Sequence, residues 1–398
     1  MRRLLFVDDE LPILRALERM LRSQRRDWEC HFVDDPRRAL DLLDALAPDA
    51  VVSDMLMPVL DGAEFLTEAA RRRPRMARFI LSGEVGAGSL VRMARAAHQC
   101  LAKPCRGDVL MDVLRRAFIE PSAIKVPALT AALYGMRGLP VAAPHFEQLR
   151  RQLSQPASDL RDTQAVALIE GSAAIATKVL QVATWTRLGL GAPPAHVHDA
   201  YFQLGPDSVR SLLDAGLLRP LPGGETTAFQ RDVWRRCAQV TAVAHAIATA
   251  EGFGVDDARQ AALVASWSTA APLLVDGACR DDYTALRRQA DAGAAALPDL
   301  ERAHFGQTAA EVFAQMLRLR GLPAPLVGWV ARGDDLAAFT ADRLAPDGLA
   351  HGARVVTDTL DGHAAPLASL DYLARIGRIA RLDAWRAAGA RALGAVAA

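Results

Sequence analysis

Over the first 120 residues, short apolar runs alternate with amphipathic stretches. Leu4–Val7, Cys30–Val33, Ala50–Ser53, Arg78–Leu81 and Gln99–Ala102 read as strands, with the near-continuous apolar character of strands buried on both faces. Between and after them, Pro12–Ser23, Pro36–Ala47, Gly62–Arg72, Ser89–Ala97 and Gly107–Ile119 space their apolar residues as helices do. This alternation predicts an α/β domain over 1–120, a doubly wound five-stranded parallel sheet with helices on both faces. Residues 121–127 carry two prolines and no periodicity, which predicts a linker.

From residue 128 the strand pattern disappears. Phe146–Leu153, Thr163–Ile169, Ala173–Ala183, Pro206–Ala215, Gln230–Ala250, Asp256–Ser268, Asp281–Ala296, Gln307–Leu319 and Pro325–Val330 all read as helices, so 128–333 is expected to be an all-α domain. A C-terminal helical extension, 334–398, ends in one long amphipathic segment, Leu367–Leu393. Packing of that segment on its own domain is the default expectation, and pairing with a second copy in a homodimer and forming a surface for a partner are the alternatives. The length of 398 residues agrees with two or three domains.

Composition narrows the partners. Forty-seven basic against 46 acidic residues leave a net charge of +1, which removes any bulk electrostatic case for nucleic acid or an anionic membrane. The cluster Arg71, Arg72, Arg73 and Arg75 ends a helix, where cations complement the helix dipole, and is expected to be solvated there. The N-terminal apolar run stops after Val7 at Asp8, Asp9 and Glu10, so no secretory signal is expected. No uninterrupted apolar stretch approaches the ~20 residues of a membrane span. Five scattered cysteines without a CxxC pair predict free structural thiols. Together these features favour a cytoplasmic protein.

The chemistry of the first domain lies at its strand ends. Asp8 and Asp9 follow the first strand, Asp54 the third, Ser82 the fourth and Lys103 the fifth. All five therefore fall at the carboxyl edge of the sheet, where doubly wound folds bind ligands. Converging carboxylates call for a cation, and an all-oxygen set suits Mg²⁺. A hydroxyl and an ammonium beside them suit the oxygens of a transferring phosphoryl group.

This pattern resembles the receiver domain of two-component response regulators. The likeness rests on Asp8-Asp9-Glu10, on Asp54 through Pro58 followed by Asp61-Gly62, on Ser82-Gly83 and on Lys103-Pro104, in order across 1–120. The resemblance implies that Asp54 is the phosphoacceptor, that Asp8, Asp9, Asp54 and the Leu56 carbonyl organise Mg²⁺, and that Ser82 and Lys103 contact the phosphoryl group. It also implies a sensor histidine kinase or phosphotransfer protein as partner. One position departs from the family: Cys100 stands where receivers carry a switching aromatic residue. A thiol has much less surface to move between pockets.

The helical half carries no HExxH, GxGxxG or GxxxxGK[ST] motif, and its histidines are dispersed. His196-x-His198 follows Pro193-Pro194 and is expected in a loop rather than on a metal. Trp185, Trp234, Trp267 and Trp329 are expected in the core. Val233 through Cys237, Ala265 through Pro272, His304 through Val312 and Gly321-Leu322-Pro323 are similar to segments of the HDOD domain, an HD-related output domain. In that register the HD metal-ligand positions fall on Arg236, Ser268, Thr269, Ala309 and Gly333-Asp334, a degenerate set. The expectation is a non-enzymatic response regulator whose helical half signals to a downstream protein partner. Two alternatives are an HD-type cyclic-dinucleotide or nucleotide phosphodiesterase, which needs the missing ligands, and a DNA-binding transcriptional regulator, which needs a basic recognition helix.

Overall fold

The structure is a computed structural model, and it describes residues 1–24, 26–83, 87–118, 123–136, 138–186, 193–217, 227–333, 335–336, 339 and 344–397. Ile119, residues 121–122 of the expected linker and Asp334 of the HD register lie outside the described residues.

Five strands, β1 (Arg2–Val7), β2 (Trp28–Val33), β3 (Ala50–Asp54), β4 (Ala77–Ser82) and β5 (Gln99–Ala102), form one parallel sheet in the order β2-β1-β3-β4-β5. The chain leaves β1 for β2 and returns to β3, so strand order reverses between β1 and β3. Val7 pairs with Ser53, Asp54 with Leu81 and Ser82 with Ala102, which levels the carboxyl ends of four strands along one edge. Leu4, Leu5, Phe6, Val51, Val52, Phe79 and Ile80 are fully or almost fully buried, as expected for strands covered on both faces. The covering helices are α1 (Leu11–Met20), α2 (Pro36–Leu46), α3 (Gly62–Arg72), α4 (Ala87–Ala96) and α5 (Gly107–Ala117). Asp35 and Asp61 cap α2 and α3 by accepting the backbone N–H groups of Arg37 and Glu64 at 2.8 and 2.9 Å.

The remainder is helical: α6 (Pro127–Gly135), α7 (Ala143–Leu153), α8 (Asp159–Glu170), α9 (Ala173–Thr186), α10 (Val197–Leu204), α11 (Pro206–Asp214), α12 (Ala228–Ala250), α13 (Val255–Ala270), α14 (Pro272–Ala278), α15 (Arg280–Asp291), α16 (Leu297–Phe305), α17 (Ala309–Leu319), α18 (Ala324–Arg332), α19 (Pro346–Leu360), α20 (Leu367–Arg375) and α21 (Leu382–Ala397). Capping boxes start α12 at Thr227/Gln230 and α17 at Thr308/Glu311. The long α12 is the spine, packed by α13, α19 and α21, so the C-terminal helices cover their own domain. Among the described residues, one helical stretch, Val255–Ala278, is long and apolar enough to cross a bilayer, and 78% of its apolar window is buried inside the fold. Two helices that break at a bend, Asp159–Glu170 and Ala173–Trp185, pass the same test only when taken together.

Three local expectations are corrected. The segment expected as one helix over Asp281–Ala296 ends at Asp291, where Gly293 takes a left-handed φ of +77°, and Pro298 then opens α16. Leu367–Leu393 is likewise broken: α20 stops at Arg375, Gly377 is left-handed at +66°, and a 3₁₀ turn, Ile379–Arg381, leads into α21. Of the two histidines expected in a loop, His196 is in the bend that precedes α10, whereas His198 lies in the first turn of that helix. Trp185 and Trp267 are core residues as expected, whereas Trp234 and Trp329 are half-buried at its margin.

Candidate functional site

The strand ends bring Asp8, Asp54 and Lys103 into contact. Lys103 donates from Nζ to Asp8 Oδ2 at 2.7 Å and forms a second, shorter ion pair with Asp54 Oδ1. The side chains of Asp8 and Asp54 are only 2% and 9% exposed, so this ammonium compensates two carboxylates almost removed from water. Burial pulls the Lys103 ammonium down, but the hydrogen bonds to Asp54 and Asp8 outweigh it and hold Lys103 above its ordinary value. The other Asp54 oxygen, Oδ2, accepts the Leu56 N–H at 2.8 Å, and Asp8 Oδ1 accepts the Glu10 N–H at 3.0 Å. Asp54 is thus oriented from both sides.

The other predicted site residues take separate positions around this contact. Ser82 is buried at the end of β4, and its carbonyl accepts the Lys103 N–H at 2.8 Å, tying the ends of β4 and β5 together. Asp9 is exposed beside Asp8, and the Leu56 side chain is 72% exposed over the edge. Cys100 is buried in β5 with Sγ 3.6 Å from Met93 Sδ of α4, and burial pushes its thiol up to about 12. The role of Gly62 was not legible beforehand: a Cβ there would collide with the Asp54 carbonyl oxygen, so glycine lets the start of α3 close on the end of β3. Asp61, besides capping α3, pairs with Arg92 of α4.

Among the described residues, no three His, Cys, Asp or Glu side chains converge closely enough to hold a metal ion. At the receiver edge the reason is visible: Asp8 and Asp54 both turn to Lys103 while Asp9 faces out. The donor chemistry of Asp8, Asp9 and Asp54 is nevertheless that of a hard cation, since each offers carboxylate oxygens.

Comparison with known proteins divides the chain in two. Residues 4–115 match the family model of the response regulator receiver domain, and residues 139–336 match that of the HDOD domain. The chain is a receiver domain followed by an HDOD domain. Its receiver part is similar to the chemotaxis protein CheY of Listeria monocytogenes, 26% identical over 122 residues, which are 29% of this chain and 98% of that one. It is also similar to protein-glutamate methylesterase/protein-glutamine glutaminase 1 of Anaeromyxobacter dehalogenans, 32% identical over 143 residues, 35% of this chain and 40% of that one. This chain therefore spans less than half the length of that methylesterase. Among solved structures, the signal receiver domain of an HD domain-containing protein from Pseudomonas fluorescens is 26% identical, with a TM-score of 0.28, covering 29% of this chain and 92% of that one.

In the HDOD domain, the positions in the HD register are occupied otherwise. Arg236 of α12 is ion-paired with Asp358 of α19. Ser268 and Thr269 are buried in α13, where Thr269 Oγ1 donates back to the Ala265 carbonyl at 2.8 Å. Ala309 is buried at the start of α17, and its N–H donates to Glu301 Oε2 at 2.8 Å. Arg236 and Ala309 thus join neighbouring helices, while Ser268 and Thr269 are packed within α13.

Proposed function

We propose that the chain is a response regulator in which Asp54 is the phosphoacceptor and the HDOD domain passes the state on through protein contacts without catalysis of its own. The observation that carries this reading is the Lys103 ammonium held on both Asp8 and Asp54 at the carboxyl edge of the sheet. Asp54 presents its carboxylate oxygen to the phosphorus of a phosphohistidine on a sensor kinase or phosphotransfer protein. A P–O bond forms, the P–N bond breaks, and its electron pair stays on the imidazole nitrogen. On this reading Lys103 exchanges its contact with Asp54 for one with a phosphoryl oxygen, and the Ser82 hydroxyl, from the end of β4, donates to another. Asp8, Asp9, Asp54 and the Leu56 carbonyl are the oxygen donors that would hold Mg²⁺, which when bound offsets the negative charge gathered between carboxylates and phosphoryl group.

Lys103 directly follows β5, and the opposite end of that strand holds the HDOD domain: Gln99 Nε2 donates to the Leu319 carbonyl of α17 at 2.9 Å. Four residues of one strand thus join the acceptor site to the helical half. A non-catalytic output is supported by the commitment of Arg236, Ser268, Thr269 and Ala309 to packing. Incubating the full chain with a small acyl phosphate donor and Mg²⁺ tests the acceptor. Wild type is expected to take up label and Asp54→Ala to take up none; equal labelling of both proteins rejects Asp54.

A further inference from the structure

Where the receiver meets the HDOD domain, the interface is built around buried cations rather than apolar side chains alone. Arg78 of β4, His98 just before β5, Lys178 of α9 and Arg320 at the end of α17 are all buried there. Among the described residues, neither His98, Lys178 nor Arg320 forms an ion pair with a carboxylate. Carbonyl groups serve instead. The Tyr134 carbonyl of α6 accepts from both Arg78 Nη2 and His98 Nε2 at 2.8 Å, and the Met316 carbonyl accepts from Arg320 Nη1 at 3.1 Å. Arg320 Nη2 also donates to the Met136 carbonyl.

Two residues in this cluster are biased towards their neutral forms by their surroundings. His98 Nδ1 accepts the Arg78 N–H at 2.9 Å, so the ring proton sits on Nε2 and protonating Nδ1 would break that bond. Lys178 is 3% exposed and, among the described residues, donates to one group, Gln181 Oε1, at 2.9 Å, although an ammonium carries three donors. The same Gln181 donates from Nε2 to the His98 carbonyl at 2.9 Å and so ties Lys178 to the receiver. Among the described residues, the charged or titratable groups coupled to Lys178 are Arg320 from α17 and His98 from the start of β5, with Arg78 beyond His98 on β4. On α8 and α10, which also pack on α9, Arg161, Asp162 and Tyr201 are joined to one another. Trp267 of α13 donates to the Ala173 carbonyl.

We propose that the receiver–HDOD interface is a proton-sensitive latch that closes around Lys178 as a neutral amine and loosens when Lys178 takes up a proton. Burial, and after it the Arg320 charge, pulls the Lys178 ammonium down from the ordinary lysine value to about 7. A docked state that lowers this value binds fewer protons than an undocked state in which Lys178 meets water. Docking therefore strengthens as pH rises from about 7 towards 10, weakens as pH falls through that window, and levels off below it. The dependence is at most one proton, up to about tenfold in the docking equilibrium per pH unit. The latch does not rest on phosphorylation of Asp54.

Small-angle scattering of the full chain across about pH 6.5 to 9.5, with far-UV circular dichroism to follow folding, tests it. Wild type is expected to expand as pH falls while its helix content stays constant. Lys178→Met, similar in length and without a charge, is expected to remain compact throughout. Lys178→Arg, a fixed cation, is expected to be expanded throughout, and if it fails to fold the comparison with Lys178→Met decides alone. A wild-type protein equally compact at every pH, or a Lys178→Met variant that expands as wild type does, overturns the latch.

Discussion

Lys103 neutralises two carboxylates that the sheet forces together, and its removal exposes how much that edge depends on one cation. Lys103→Met leaves Asp8 and Asp54 facing each other without compensation, a change that costs about 3–5 kcal/mol for buried pairs. A lower melting temperature is expected, together with a larger rise on adding Mg²⁺ than wild type gives, since the cation then supplies the missing charge. Identical melting and identical response to Mg²⁺ in the two proteins would contradict this account. The residues of this site were legible because each stands immediately after an apolar run, and parallel strands bring such positions to one edge. The exposure of Asp9 and the closeness of Gly62 to the Asp54 carbonyl were not legible, because the first depends on how the chain turns from β1 into α1 and the second on how β3 and α3 meet in space. Local pattern marks a strand end; it does not mark which way its side chain turns.

At the scale of elements, α12 gathers C-terminal residues at a polar knot at its end. Glu251 accepts from Trp385 Nε1 at 2.9 Å and from Arg381 Nε at 2.6 Å, and it pairs with Arg378 at 2.9 Å. Trp385 is fully buried, and its ring lies so close to Gly352 of α19 that a Cβ there would meet it at 2.9 Å. Trp385→Ala removes both the ring and the Glu251 contact, so a loss of about 3–5 kcal/mol is expected in the unfolding of the helical half, read from urea titration. A loss below 1 kcal/mol would mean that α21 is not integral to the core. The break ahead of α21 shows where helical periodicity misleads: apolar spacing continues through Gly377 and Arg378, but the left-handed glycine turns the chain so that α20 and α21 pack separately. The gap between α15 and α16 has the same origin at Gly293. In both, glycine carried the signal and the periodicity on either side obscured it.

For the molecule as a whole, β5 has two attachments: at its end Lys103 grips Asp8 and Asp54, and at its start Gln99 holds α17. The sequence carried a trace of this arrangement, since Arg78, His98 and Gln99 interrupt runs that a fully enclosed sheet would fill with apolar residues. Their partners come from outside the sheet: α6 supplies the Tyr134 carbonyl to Arg78 and His98, and α17 the Leu319 carbonyl to Gln99. Gln99→Ala leaves the buried Leu319 carbonyl without its donor, a loss of about 1–3 kcal/mol that falls on docking because the two partners belong to different domains. Hydrogen exchange read by mass spectrometry is expected to quicken at both sides of the interface, around Gln99–Leu101 and the end of α17, while β1 and β3 exchange as in wild type. Faster exchange across the whole sheet would instead mean that Gln99 supports the receiver fold itself. Exchange unchanged at the end of α17 would mean that this hydrogen bond does not hold the two halves together, and β5 would then lose its place as the element that joins them.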